Sequence, residues 1–248
     1  MRNVWTIAKR EFNLYIISPI AYVVALMIFL ILGIIFYANI SSAIAALQAG
    51  QNYVPTAQMI IGPLVTLFLF TTPAVTMRTI SDEQRMGTLE TLLTAPVRDW
   101  ELVVGKWLGS FLFYFVLVAL TGIFPLVLNV FVKPSIDQGL LISGYLGLLL
   151  LVATFVAIGV FASSLFSNQI ASFFTTLGIL LVLWMISYPA QASITGGSQI
   201  LTYLDLSQHF YNTFLRGIIE LKDIIYYLSV TVLALFLGTM SVEARRWR

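Results

Sequence analysis

Four stretches of the chain carry no formal charge: Phe12–Met77, Trp107–Val132, Gln138–Leu204 and Ile224–Val242. A charged side chain at the middle of a bilayer costs about 2.5–3.5 kcal/mol, and a spanning helix needs about 20 apolar residues. By length the four stretches hold two, one, two and one spans. The first long stretch is interrupted from Ser41 to Thr56, with Gln48, Gly50, Gln51, Asn52 and Pro55. The second is interrupted from Ser163 to Gln169. The pattern predicts six transmembrane helices, at Pro19–Asn39, Ala57–Thr76, Trp107–Val130, Leu140–Ala162, Ile170–Tyr188 and Ile224–Met240. None of these runs alternates with period two, so helices rather than barrel strands are expected. The predicted fold is an all-α polytopic membrane protein, with 1–248 forming one transmembrane domain.

Composition agrees. Of 248 residues, 59% are hydrophobic and 10% charged, against roughly 45–50% and about 25% in soluble domains. Mean hydropathy is +0.95. This composition excludes a soluble enzyme and a disordered chain. The 13 Lys and Arg are unevenly placed. With the N-terminus inside, the inner segments take Arg2, Lys9, Arg10, Arg78, Arg85, Arg98, Lys106, Arg245, Arg246 and Arg248. The outer side takes Lys133, Arg216 and Lys222. The positive-inside rule then puts both termini on the cytoplasmic face. The apolar run near Pro19 has no convincing cleavage site, so no cleavable signal is expected.

The predicted spans contain no Asp, Glu, Lys, Arg or His. Ion-coupled transporters and intramembrane hydrolases normally carry such groups in the bilayer. Zero Cys and a single His, His209, offer no metal cluster and no thiolate chemistry. Gly105-Lys106 is followed by Trp107, and Trp100 stands where a phosphate loop needs glycine. Work done by this chain therefore needs energy from a partner. A purely structural membrane anchor is the plainer alternative.

Charge concentrates between Arg78 and Lys106. Ser81-Asp82-Glu83-Gln84 has the form of a capping box, predicting a helix start. Met86, Leu89, Leu92 and Leu93 form one apolar stripe. Pro96 ends the helix, and Asp99 is positioned to cap the next. Gly87 permits close approach. Such a helix either lies at the membrane interface or inserts into a cytoplasmic partner, with Glu83, Arg85 and Glu90 available to pair there. At the start of the chain, residues 1–18 place Val4, Ile7, Ala8, Phe12 and Tyr15 near one face. Glu11 falls near that face and needs a partner.

The run Glu83-Gln84-Arg85-Met86-Gly87-Thr88-Leu89-Glu90-Thr91-Leu92-Leu93-Thr94-Ala95-Pro96-Val97, followed by Glu101-Leu102-Val103-Val104-Gly105-Lys106, resembles the signature loop of ABC-2 type permeases. Ser163–Ala171 resembles that family's short inner turn between spans four and five. Phe214–Tyr227 is similar to the segment before the last span in permeases of the gliding-motility type and their relatives. Arg10-Glu11-Phe12 and Ser18-Pro19 extend the likeness over nearly the whole chain.

The resemblance implies a six-span subunit of an ATP-binding-cassette exporter in a bacterial plasma (inner) membrane. It implies pairing with a second permease copy, identical or different, and energy from a separate ABC ATPase subunit that binds ATP and Mg. This chain itself would be no enzyme and would hold no cofactor. Loop 77–106 would be a cytoplasmic coupling loop, with Glu83, Arg85, Gly87, Thr88, Leu89, Glu90, Leu92, Leu93 and Pro96 at the ATPase contact. Residues 1–18 would be an amphipathic connecting helix against membrane lipid, ATPase or both. The output is either export of a substrate or transmission of motion to an outer accessory protein. No nucleic-acid partner is expected.

The outer segment 189–223 carries Leu206, Phe210 and Phe214 at helical spacing. Among the related permeases, outer re-entrant helices cap the pathway. His209 reads as a surface residue, while Asp205, Arg216, Glu220 and Asp223 are expected to pair among themselves or to meet an outer partner. Thr71, Thr72 and Thr76 of span two, and Ser172, Thr175 and Thr176 of span five, either bond between packed helices or line a substrate path. Gly105-x-x-x-Gly109 permits close helix approach. Tyr37, Tyr53, Tyr114, Tyr145, Tyr188, Tyr226 and Tyr227 are expected near membrane boundaries.

Overall fold

The structure, a computed structural model, describes residues 2–50, 56–88, 97–131, 137–188 and 198–246. All regular structure among them is helical. The helices are α1 (Arg2–Ile17), α2 (Pro19–Gln48), α3 (Gln58–Thr76), α4 (Ser81–Arg85), α5 (Asp99–Thr121), α6 (Ile123–Phe131), α7 (Gln138–Leu165), α8 (Gln169–Met185), α9 (Ser198–Leu204), α10 (Leu206–Tyr211), a 3-10 turn (Phe214–Arg216) and α11 (Leu221–Arg246). Five helices are long and apolar enough to cross a membrane: α2, α3 with α4, α5 with α6, α7 and α11. The predicted fifth span is α8, which is apolar but 17 residues long.

The helices overrun the predicted spans for local reasons. α2 continues through Ser41–Gln48, where the pattern placed a turn, because Ala43, Ala45, Ala46 and Leu47 are strong helix formers. It stops at Gly50, whose φ of 75° supplies the left-handed residue that ends many helices. The third span is two helices, α5 and α6, divided at Gly122 just before Pro125, whose ring cannot donate a helical hydrogen bond. The turn predicted at Ser163–Gln169 is present. Asn168 opens α8 by accepting from the Ile170 amide at 2.9 Å.

α7 is the hub and packs on α3, α5, α8 and α11. Its most apolar window is 78% buried, against 22% for α2. An apolar face that broad has to meet other helices, and Leu148, Leu151, Val152, Phe155, Val156 and Val160 are fully enclosed. Tyr114 and Tyr227 are enclosed as well.

At one end of the bundle, α9, α10 and the 3-10 turn fold over the start of α11. The expected stripe is real but broken into two pieces, with Leu206, Phe210 and Phe214 all buried. His209 is not on the surface. Its Nδ1 lies 2.6 Å from Asp223 Oδ1, its Nε2 lies 2.8 Å from the Tyr203 carbonyl, and its ring stacks on Tyr226 at 4.1 Å. Three of the outer charges find partners outside their own group. Asp205 caps α10 through the Ser207 amide, Asp223 takes His209, and Glu220 takes Lys222. The tyrosine hydroxyls of Tyr226 and Tyr227 donate to the carbonyls of Leu204 and Leu206, fixing the cap to α11.

α1 lies against α5, not free on a surface. The two glycines of the Gly105-x-x-x-Gly109 pair make this possible. A Cβ at Gly105 would sit 2.8 Å from Ile7 Cβ, and one at Gly109 would sit 2.5 Å from Glu11 Cβ and 2.8 Å from the Ala8 carbonyl. Gly109→Ala is therefore expected to destabilise the detergent-solubilised protein by about 1–3 kcal/mol through overpacking. Gly178→Ala on α8, with nothing within 4 Å, should leave the thermal unfolding midpoint unchanged or raise it. Equal midpoints for the two variants would refute the close α1–α5 contact.

Candidate functional site

At the other end of the bundle, Arg10, Glu11, Arg78, Asp82, Glu83 and Arg98 lie around Lys106. This lysine interrupts an apolar run, so helix α5 carries it in among its own neighbours, to a point that Glu11 of α1 and Glu83 of α4 both reach. It is 2% exposed. Its Nζ donates to Glu11 Oε1 at 2.6 Å and to the Thr79 carbonyl at 2.6 Å, and lies 2.8 Å from Glu83 Oε1. An ammonium has three N–H groups, and all three are matched. The partner that Glu11 lacked on the apolar face of α1 is Lys106.

Two further contacts fix the same junction. The Tyr15 hydroxyl pairs with Ser110 Oγ at 2.9 Å and reaches the Val75 carbonyl at 3.3 Å, joining α1 to α5 and α3. Burial pushes the Tyr15 phenol far above its ordinary value, so it stays protonated. Asn3 Nδ2 donates to Glu101 Oε2 at 3.1 Å. Beside the node opens a cleft of about 610 Å³, bordered by Arg10, Tyr15, Arg78, Asp82, Met86 and Thr88.

The helix caps differ from the sequence expectation. Ser81 is the first residue of α4 rather than its cap, and its hydroxyl donates back to the Met77 carbonyl. Gln84, expected to close the capping box, instead donates to the Ser164 carbonyl at 2.8 Å. The cap comes from another helix: Ser163 Oγ accepts from the Ile80 and Ser81 amides at 3.0 and 3.1 Å. At α5 the residue preceding the helix is Arg98, and Glu101 reaches back to its amide at 3.1 Å, so Asp99 begins the helix instead of capping it.

Of the expected ATPase-contact residues, Glu83 is turned inward to Lys106. Arg85, Gly87 and Thr88 are exposed beside it. Gly87 has φ 69°, a backbone turn that favours glycine. Leu89, Glu90, Leu92, Leu93 and Pro96 lie outside the described residues, as does most of the predicted stripe. Its described member, Met86, is 67% exposed. The candidate path residues Thr71, Thr72, Thr76, Ser172 and Thr176 are buried, and Thr175 is half-buried. Thr72, Thr76 and Thr176 donate to carbonyls one turn back, and Tyr114 donates to Thr71. These groups face helix packing in the single chain.

Sequence reasoning missed Lys106, Thr79 and Ser163. For Lys106 a signal was present: a lone cation within an apolar run, with an anion at Glu11 on an apolar helix face.

Burial pushes the Glu83 carboxyl up from its ordinary value, against the opposing pull of Lys106, and Glu83 Oε2 has no hydrogen-bond partner. The folded chain thus holds this proton to higher pH than the unfolded chain. Its contribution to stability falls as pH rises through that interval. Glu83→Gln should remove that slope, seen as a flatter dependence of unfolding midpoint on pH above the ordinary glutamate range. Lys106→Met leaves two carboxylates buried without a cation and should cost about 3–5 kcal/mol. A midpoint within error of wild type for Lys106→Met would contradict the node.

A family model described as ABC-2 family transporter protein matches residues 5–243. Comparison with curated proteins found no match.

Proposed function

The chain belongs to the ABC-2 family of transporter proteins, and from that premise we propose that it is the permease subunit of an ATP-driven exporter. As a member of this family it is a multi-pass membrane component of an ABC transporter. In the proposed reading, a separate ABC ATPase subunit binds ATP and Mg and hydrolyses it. A second permease copy completes the transmembrane unit. The assembly sits in the plasma membrane with both termini cytoplasmic, and residues 77–106 face the ATPase.

The observation that carries this reading is the Lys106 node. It joins the connecting helix α1, the short helix α4 and the membrane helix α5 at one point. In this scheme a push on α4 reaches α1 and α5 through Glu83, Lys106 and Glu11. Rigid-body displacement of packed helices is a common way to transmit such a push. The permease performs no covalent chemistry in this scheme.

A second reading is favoured by the buried threonines and serines and by the cap that Tyr226 and Tyr227 fix to α11. In this reading the subunit passes ATP-driven motion to an outer accessory protein and no solute crosses, as the likeness to gliding-type permeases suggests. Vesicle assays of the ATPase–permease complex separate the two. Permease-dependent ATP turnover with no movement of solute or lipid supports the second reading, and ATP-dependent release or uptake supports the first.

Gly87→Trp forces a bulky side chain onto a left-handed backbone position at the proposed contact, and Glu90→Lys reverses a charge there. Both variants should insert and fold normally while copurification of the ATPase falls at least roughly tenfold, the loss expected when about 1.4 kcal/mol of binding is removed. Undiminished copurification and turnover in both would remove the docking assignment.

A further inference from the structure

We propose that Ser163, at the end of α7, is a positioning residue for coupling. It holds α4 to the turn between α7 and α8, so that displacement of α4 reaches α7, α8 and α11 sideways. The proposal rests on the reading of residues 77–106 as the ATPase-facing segment.

α4 has five residues, too few to be stable as an isolated helix. The residue before it, Ile80, provides no side-chain cap. Its first amides point instead to Ser163 Oγ, which accepts from Ile80 and Ser81 and donates to the Met77 carbonyl at 3.4 Å. One hydroxyl offers two acceptor sites and one proton, and all are used. Ile80, Ser81 and Ser163 are fully buried, so water cannot replace these bonds.

More bonds follow the same line. Gln84 Nε2 donates to the Ser164 carbonyl, and Gln169 at the start of α8 donates to Asp82. The Ser164 carbonyl also accepts from Ser241 on α11 at 3.1 Å, and Arg245 of α11 donates to the Leu165 carbonyl at 2.7 Å. The covalent route runs through a turn. Between the end of α3 at Thr76 and the start of α4 at Ser81 the chain turns, so α3 does not run into α4 as one rod. The sideways clasp joins α4 to α7, α8 and α11 by side-chain hydrogen bonds.

Ser164 provides the control. It is equally buried, but its hydroxyl bonds within its own helix, to the Phe161 carbonyl at 2.7 Å. Its part in the clasp is its backbone carbonyl, which an alanine keeps. Ser163→Ala and Ser164→Ala thus remove the same atom from neighbouring positions, and one of the two breaks the clasp. Amide hydrogen exchange is read on the full chain in nanodiscs. Permease-dependent ATP turnover is read on the complex with its copurifying ABC ATPase.

Ser163→Ala should speed exchange over residues 80–85 at least roughly tenfold, as expected when buried amides lose their acceptor, with exchange in the middles of α3 and α7 unchanged. It should bind the ATPase normally but lose most of the permease-dependent turnover. Ser164→Ala should match wild type in both. Wild-type exchange over 80–85 in Ser163→Ala, or fast exchange with full coupled turnover, would overturn the proposal. Equal losses in the two alanine variants would overturn it too. If the wild-type chain binds no ABC ATPase, the docking reading falls and the coupling role falls with it. That failure is recognisable because the exchange contrast needs no ATPase.

Discussion

A lysine ammonium almost wholly removed from water must be matched at every N–H, and at Lys106 that requirement decides where three helices lie. Glu11 brings α1, Glu83 brings α4, and the Thr79 carbonyl brings the turn that follows α3. Burying one cation with two carboxylates is not a cheap way to hold helices together. Well-packed apolar groups often do as well or better. What the ionic arrangement adds is direction: each partner has to face the ammonium within hydrogen-bond distance.

The opposite end of the molecule solves a similar problem differently. His209, Asp223, Tyr226 and Tyr227 lock the cap onto α11 through hydrogen bonds and ring stacking, and Asp205 begins α10 while also receiving the Ser187 hydroxyl. Between these two polar ends lies an apolar bundle centred on α7. The polar groups of the bundle interior include threonine and serine hydroxyls, many of them bonded back to their own helices, and the Tyr114 hydroxyl. The molecule therefore has two well-defined polar ends, joined by an apolar bundle.

Much of this was legible in the sequence, because the bilayer imposes a rule on charge that a reader can count. The helical class, the turn at Ser163–Gln169, the Gly105–Gly109 approach and the apolar face of α1 all follow from residue type and spacing. Helix ends were harder. Ser81-Asp82-Glu83-Gln84 has the letters of a capping box, yet its atoms turn to other partners, because Ser163 arrives from 82 residues away and satisfies the amides first. His209 was misplaced for the same reason. A lone histidine in a polar stretch reads as exposed until Asp223, Tyr203 and Tyr226 are seen to surround it. Local pattern reports what a segment prefers, and these positions are decided by distant chain.

The contact between α1 and α5 is made by missing atoms. Gly109 admits the backbone of α1, the same approach places Glu11 over Lys106, and Lys106 in turn holds Glu83. A larger residue at 109 displaces Glu11, and a shorter one at 11 strands the lysine. Positions 11, 83, 106 and 109 are thus not four independent choices. Across descendants of this fold they are expected to drift together or stay fixed together, so that co-variation among them would record the geometry of the node more faithfully than the identity of any single residue.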